Sequence, residues 1–132
     1  MSEQITVRGL VATSPRSVVT ESGLAVTSFR LAAPSRRFDS ETSSWVTDAT
    51  NWYTVSSFRR LAENVASSLA KGDRVLVHGK MRIRDWDNGE RSGTAVEIDA
   101  DTMGFDLVFG TGTLERTPFG DEEDAEAELQ PA

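Results

Sequence analysis

The sequence predicts an all-β protein: a five-stranded barrel with one short α-helix between the third and fourth strands, followed by a disordered acidic tail. Five stretches alternate between apolar and polar residues, which is the pattern of strands with one buried face. Only residues 58–70 carry apolar side chains at helical spacing. Beyond residue 110 the chain is polar and then acidic, without apolar periodicity. These patterns divide the chain into a domain at residues 1–110 and a tail at residues 111–132.

The first two strands are predicted at residues 4–12 and 24–33, where apolar and polar residues alternate. Between them, Ser14-Pro15 and Glu21-Ser22-Gly23 have the composition of turns. We therefore expect an antiparallel hairpin with a long connection.

Residues 34–50 are predicted to form a polar loop. The loop carries two adjacent arginines and two large aromatic residues, namely Arg36, Arg37, Phe38 and Trp45. Aromatic side chains in a connection are left near water, and binding residues are often found on loops. We expect this loop to bind a ligand.

A third strand at residues 52–57 leads directly into the predicted helix at residues 58–70. Ser56 or Ser57 is the expected N-cap, because a hydroxyl accepts a hydrogen bond from the unpaired N–H groups of the first turn. Lys71-Gly72 is expected to end the helix, since glycine adopts the left-handed conformation found after the last turn.

The fourth strand, at residues 74–86, has two different faces. Successive side chains of a strand point to opposite sides, so one face is expected to reach the core. This core face comprises Val75, Val77, Met81 and Ile83. The opposite face comprises Lys80, Arg82, Arg84 and Trp86. Gly79 is expected to form a bulge or a bend.

The basic and aromatic face of this strand suits a nucleic-acid strand. Cations neutralise phosphates, and a flat indole ring stacks on unpaired bases. The alternative is a solvated outer face, since exposed strands often carry Lys and Arg that prevent edge pairing.

The remaining elements complete a known arrangement. Asp87-Asn88-Gly89-Glu90 is predicted to form a turn, residues 93–101 the fifth strand, and residues 105–109 one more short strand. Five strands with a helix between the third and the fourth fit the OB fold, a Greek-key barrel that binds oligonucleotides with its second and third strands and adjoining loops. A small β-sandwich has compatible periodicity and is the alternative.

Composition excludes several classes of function. The chain has no cysteine and a single histidine, His78, so no disulfide, Cys/His metal cluster or other cofactor is expected, and His78 is expected to be structural. Neither a glycine-rich phosphate loop nor a Ser-His-acid set is present, so we expect no enzyme. No apolar run reaches membrane-spanning length and the first residues do not resemble a signal peptide, so a cytoplasmic protein is expected.

The net charge of −7 is concentrated in the tail. Residues 121–132 contain six acidic and no basic residues, which leaves a net charge of −1 on residues 1–120. A local basic groove on the barrel is therefore compatible with the acidic composition.

Motifs for three elements follow one another along the chain: an aromatic strand, a helix ending in Lys-Gly, and a basic strand ending in Trp. In this order they resemble the bacterial single-stranded DNA-binding protein family. The motifs are Asn51-Trp52-Tyr53-Thr54-Val55, Phe58-Arg59-Arg60-Leu61-Ala62-Glu63-Asn64-Val65, Leu69-Ala70-Lys71-Gly72-Asp73-Arg74-Val75-Leu76-Val77-His78-Gly79-Lys80-Met81 and Arg84-Asp85-Trp86. The resemblance covers residues 4–107. It implies an OB fold that assembles as a homotetramer through first-strand edges.

The resemblance also implies which residues bind single-stranded DNA. Bases would stack on Trp52, Phe58 and Trp86, with Phe38 as a fourth aromatic. Trp45 would either stack or pack within the loop or between subunits, and helical spacing alone would place Phe58 in the core. The basic partners are Arg36, Arg37, Arg59, Arg60, Lys80, Arg82 and Arg84. For Arg59 and Arg60, an ion pair with Glu63 is the alternative.

The tail departs from the family pattern, in which a terminal Pro-Phe closes a short acidic tip and recruits other proteins. Here Pro118-Phe119 precedes the acidic residues, so we do not expect the tail to recruit partner proteins. The tail could instead fold over the binding groove or be a solubilising end. The short linker makes the chain resemble a secondary paralogue.

The expected function is to bind and protect single-stranded DNA without strong sequence preference, in replication, repair, recombination or DNA uptake, near the nucleoid. The alternative is an accessory OB-fold module, primosomal or RNA-binding, that uses the same face.

Overall fold

The computed structural model describes residues 3–117, which form six strands and one helix. In chain order the elements are β1 (Glu3–Val11), β2 (Arg16–Val19), β3 (Ala25–Asp39), β4 (Ser44–Phe58), α1 (Arg59–Ser68), β5 (Arg74–Asp87) and β6 (Ser92–Phe105). No helix within this part of the chain is both long and apolar enough to span a membrane.

Five of the strands close into a barrel. The sheet order is β1-β5-β6-β4-β3, and β1 also pairs with β3 at Leu10 and Val11. Strand β2 lies outside the barrel, on the edge of β3. The helix lies between β4 and β5, the third and fourth barrel strands. The predicted five-stranded OB-fold barrel is confirmed, and the β-sandwich alternative was wrong.

The barrel is filled by branched apolar side chains from all five of its strands. The largest fully buried apolar residues are Val11, Leu31, Val55, Val75, Val77 and Ile98. Helix α1 covers one end of the core with Ala62 and Val65. Beneath it, the Thr27 hydroxyl donates to the carbonyl oxygen of Ala62 at 2.8 Å. Burial of this polar group is therefore compensated by a hydrogen bond.

The prediction of a loop at residues 34–50 was wrong, because β3 and β4 form one long hairpin through this region. The two strands pair as far as Asp39 and Ser44. The end of the hairpin extends beyond the barrel, where its side chains are mostly exposed. Without a buried face, this part has no apolar alternation by which a strand could be recognised. For the same reason, the short and fully exposed strand β2 was not predicted.

The helix begins and ends differently from the prediction. It spans Arg59–Ser68, with Phe58 at the N-cap and no side-chain capping hydrogen bond. Neither predicted serine is the cap: Ser57 precedes the N-cap residue Phe58, and its buried hydroxyl donates to the carbonyl oxygen of Thr27 at 2.9 Å. Gly72, with a φ of 99°, forms the turn that follows the helix rather than the end of the helix.

Strand β5 only partly reaches the core. Val75 and Val77 are buried and Met81 is half-buried, but Ile83 is 65% exposed, so its assignment to the core was wrong. The reason is that β5 and β6 continue past the barrel as a hairpin. The register shifts between His78 and Gly79, but the extra residue is Asp101, so the bulge lies in β6 opposite Gly79 rather than at Gly79 itself.

Gly79 is required at this shift, because a Cβ atom there would overlap the carbonyl oxygen of Asp99. The neighbouring His78 pairs with Asp101, with 2.9 Å between Nδ1 and Oδ1.

The chain leaves the barrel through a turn rather than the predicted strand at residues 105–109. Phe105 ends β6, and the N–H of Phe109 donates to the carbonyl oxygen of Asp106 at 3.1 Å. Residues 111–117 have no regular secondary structure. The six acidic residues and Pro118-Phe119 of the predicted tail lie outside the described residues.

Candidate nucleic-acid interface

One face of β4 carries two of the predicted stacking residues. Val55 and Ser57 are buried, so the alternating residues Trp52 and Phe58 belong to the outer side of the strand. Trp52 is exposed and Phe58 is half-buried. Phe58 has extended backbone angles and follows the phase of the strand rather than that of the helix.

The β3–β4 hairpin extends this face with two more aromatic residues. Phe38 pairs with Trp45 across the hairpin, and their ring centroids are 5.7 Å apart in an edge-to-face arrangement. Both rings are exposed. Trp52 pairs with Ala32, which is on the same face of β3 as Phe38 by alternation. All three aromatic rings therefore belong to one face of the hairpin.

A β-bulge makes this possible. Trp45 and Trp52 are seven positions apart, and in a regular strand they would lie on opposite faces. Ser35 pairs with Ala49 but Arg36 pairs with Thr47, so one extra residue is present in β4. This extra residue shifts the alternation and brings both tryptophans to the same side.

Alternation along β3 places the two predicted arginines Arg36 and Arg37 on opposite faces. Arg36 alternates with Phe38 and shares its face, whereas Arg37 belongs to the opposite side of β3.

Strand β5 places its four predicted residues on one outer face. Lys80, Arg82, Arg84 and Trp86 alternate with residues of the core side and are all exposed. The Trp86 ring lies against Gly93, where an added Cβ would be 2.8 Å from Cζ2 of the ring. Because Gly93 has no side chain, the indole ring of Trp86 can lie directly against the backbone of β6.

Strand β6 joins the two halves of the face. It pairs with β4 on one side, Thr54 opposite Glu97, and with β5 on the other, Glu97 opposite Arg82. The next row consists of Ser56, Asp99 and Lys80. We call this continuous outer surface of β3, β4, β6 and β5 the sheet face.

The sheet face contains two acidic residues that the sequence analysis did not use. Arg82 Nη2 lies 3.2 Å from Asp99 Oδ1, and Arg84 Nε lies 3.7 Å from Glu97 Oε1. Two of the three predicted cations of β5 are therefore already paired. The available signal was the alternation of Glu97 and Asp99 in the fifth strand, which has the same period as the cations of the fourth.

Arg30 is a further basic residue of the sheet face that sequence reasoning missed. It pairs with Thr54 across β3 and β4, and its guanidinium carbon lies 5.5 Å from the centroid of the Trp52 ring. This distance is within the range of a cation–π interaction. Arg30 could have been identified from the sequence, because it lies between Phe29 and Leu31 in the predicted second strand. Since these two neighbours are buried, alternation places Arg30 on the outer face.

The structure places Arg59 and Arg60 in a separate groove. They line a space of about 730 Å³ between the β2–β3 turn and α1, together with Glu63. Arg59 has a φ of 59°, which is unusual for a residue other than glycine. The two arginines are thus not part of the row formed by Lys80, Arg82 and Arg84.

An OB-fold barrel whose outer sheet carries exposed aromatic and basic side chains defines a class of small binding proteins. The chain belongs to the single-strand binding protein family, which matches residues 2–106. Family membership supports a binding protein and not an enzyme.

Several relatives are similar over most of this chain. The "Single-stranded DNA-binding protein 2" of Tropheryma whipplei (strain Twist) is 50% identical over 112 residues, which cover 85% of this chain and 74% of that protein. The single-stranded DNA-binding protein of Corynebacterium glutamicum is 39% identical, over 88% of this chain and 52% of that protein.

Solved structures show the same fold. The crystal structure of the small single-stranded DNA-binding protein from Streptomyces coelicolor superposes with a TM-score of 0.76 and is 38% identical, covering 83% of this chain and 98% of that chain. The second single-stranded DNA-binding protein from Mycobacterium smegmatis has a TM-score of 0.66 and 28% identity, covering 88% of this chain and all of that chain.

Proposed function

We propose that this protein binds single-stranded DNA without strong sequence preference, by stacking bases on the aromatic residues of the sheet face. The observation that carries the proposal is the continuity of that face across four strands, with aromatic rings at both ends. The stacking residues are Phe38, Trp45, Trp52, Phe58 and Trp86. The relatives from Tropheryma whipplei and Corynebacterium glutamicum are single-stranded DNA-binding proteins by name, which supports the same function here.

Stacking explains why sequence preference is weak. Every base presents a flat π surface, and each stacked base contributes about 1–3 kcal/mol by alanine substitution. Trp52 and Phe58 are six positions apart on an extended strand, roughly 20 Å. The platforms are therefore far enough apart to hold several nucleotides of one strand.

Cations contribute the second part of the binding free energy. Lys80, Arg82, Arg84, Arg30 and Arg36 belong to the sheet face and can contact the phosphate backbone. Arg37, Arg59 and Arg60 lie off this face and would contact only a strand that continues around the barrel.

The proposed assembly is a homotetramer. Strand β1 pairs with β5 along Glu3 to Leu10 but with β3 only at Leu10 and Val11. Within the described residues, most of one edge of β1 thus has no partner strand, and pairing between subunits would cover it.

The proposed biological role is to coat and protect single-stranded DNA in the cytoplasm during replication, repair, recombination or DNA uptake. Recruitment of other proteins by the acidic tail is not part of this proposal.

The test is a titration of the protein with poly(dT), followed by tryptophan fluorescence at low and high salt. Stacking on Trp45, Trp52 and Trp86 should quench the emission, and added salt should reverse it by weakening the phosphate contacts. Duplex DNA should compete poorly. Unquenched emission without binding at low salt would contradict the proposal, and preferential binding of RNA would favour the accessory-module alternative.

A further inference from the structure

Two carboxylates, those of Glu97 and Asp99, lie between the aromatic and the basic parts of the sheet face. Strand β6, which carries them, pairs with β4 on one side and with β5 on the other. Trp52 belongs to β4, whereas Arg82 and Arg84 belong to β5. A nucleic-acid strand that contacts both neighbouring strands must therefore pass over or beside the two carboxylates.

The carboxylates are recessed and the guanidinium groups project above them. The side chains of Asp99 and Glu97 are 29% and 19% exposed, compared with 60% and 67% for Arg82 and Arg84. Each arginine pairs with a diagonal acid rather than with the residue directly opposite. Arg82 is opposite Glu97 but pairs with Asp99, which is itself opposite Lys80. Likewise, Arg84 pairs with Glu97, so both arginine side chains lean along the sheet. An approaching phosphate therefore contacts an arginine whose positive charge is already compensated by a carboxylate.

We propose that Glu97 and Asp99 lower the affinity for single-stranded DNA by holding Arg82 and Arg84 in ion pairs with which the phosphates must compete. The inference rests on the proposed function, since it concerns the same face. In both pairs the guanidinium group is exposed to solvent, which weakens the ion pair, so a phosphate can displace a carboxylate. The carboxylates nevertheless remain nearby and repel the phosphates.

Removing the negative charges isolates this effect. In Asp99→Asn and Glu97→Gln an amide oxygen can still accept a hydrogen bond from the arginine, at almost unchanged side-chain volume. Each variant is expected to bind poly(dT) about two- to fivefold more tightly at low salt, the fold-change that corresponds to an exposed ion pair. The gain should shrink as salt rises, because salt screens the repulsion.

The salt dependence gives a second readout that a structural role would not change. Each arginine released to contact a phosphate should steepen the slope of log K against log salt by about 0.7 for a single strand. The double variant should therefore steepen the slope by about 1.4. In a double-mutant cycle, Arg84→Gln should weaken binding more in the Glu97→Gln background than in the wild type.

The matched control is Glu21→Gln, which removes the same charge from the exposed β2–β3 turn, away from the sheet face. Circular dichroism establishes that each variant is folded. If the two variants bind poly(dT) with the affinity and salt slope of Glu21→Gln, or more weakly than the wild type, the inference is wrong. If the wild type itself does not bind poly(dT) at low salt, the proposed function has failed as well.

Discussion

Trp86 is the aromatic residue of the sheet face whose environment most favours the proposed stacking. One side of its ring rests on Gly93, and the side chain remains exposed at the end of the β5–β6 hairpin. It contributes nothing to the buried core. An exposed ring that is already held in place by contact with Gly93 can stack on a base without rearrangement.

Trp86→Ala is expected to weaken binding of poly(dT) by about 1–3 kcal/mol, the contribution of one stacked base. Thermal unfolding should change little, because the ring lies outside the core. Trp86→Phe serves as the matched control and should retain most of the affinity, since a flat ring remains. A folded Trp86→Ala variant with wild-type affinity would contradict the assignment.

Arg30 tests whether the guanidinium beside Trp52 takes part in binding. Arg30→Met keeps a long flexible side chain but removes the charge and the planar guanidinium beside Trp52. We expect poly(dT) affinity to fall by about 0.5–1 kcal/mol, the value of an exposed cation–π contact that the guanidinium would make with a bound base. The salt slope should become shallower by about 0.7 if Arg30 contacts a phosphate. An unchanged affinity and slope in fluorescence titrations would show that Arg30 only covers the ring.

At the scale of elements, the bulge in β4 determines which aromatic residues share a face. Asp48 is the extra residue between Thr47 and Ala49, and the two tryptophans of the strand lie on either side of it. A shift of one residue moves every following side chain to the other face of a strand. The position of Trp45 therefore depends on one backbone irregularity.

Deletion of Asp48 should make β4 regular and turn Trp45 away from the sheet face. The wild type should lose about 1–3 kcal/mol of poly(dT) affinity on Trp45→Ala, whereas the deletion variant should lose little on the same substitution. Titrations of the four proteins form a double-mutant cycle. Equal effects of Trp45→Ala in both backgrounds would show that Trp45 does not act through this face.

The elements that could be predicted from the sequence are those with one buried face. The alternation around Val55, Val75 and Ile98 identified three barrel strands, because burial imposes the pattern. The hairpin beyond Pro34 and the exposed Ile83 were misassigned, because neither is packed against the core.

For the site, strand alternation was sufficient to place the cations and Trp86 of β5 on one face. The ion pairs of that face were not predicted, since they join residues of different strands and depend on register. Register is determined by how the strands pair in the closed barrel. The apolar alternation of one strand does not specify this pairing.

At the scale of the whole molecule, one ion pair fixes the segment that leaves the barrel to strand β1. Arg8 donates from Nε and Nη2 to Oδ2 of Asp106 at 3.0 and 2.8 Å. The N–H of Val108 donates to the other carboxylate oxygen at 3.1 Å. Only 8% of the Asp106 side chain is exposed. Nearby, the guanidinium of Arg74 lies 4.6 Å from the Phe109 ring centroid.

These contacts lower the pKa of Asp106, first through the hydrogen bond from the Val108 backbone and then through the Arg8 side chain. A carboxyl group with a lowered pKa stabilises the fold while it is ionised. Its contribution is fully present above the ordinary aspartate pKa of about 3.9 and is lost as the pH falls through the lower pKa of the folded state.

Asp106→Asn should therefore lower the free energy of unfolding at neutral pH, and the difference from the wild type should disappear in strongly acidic solution. The measurement is urea unfolding of both proteins at a series of pH values from neutral to acidic. Glu21→Gln is the control, since this exposed turn residue has no described hydrogen bond or ion pair. A difference that stays constant as the pH falls well below the ordinary aspartate pKa would show that Asp106 acts through its shape rather than its charge.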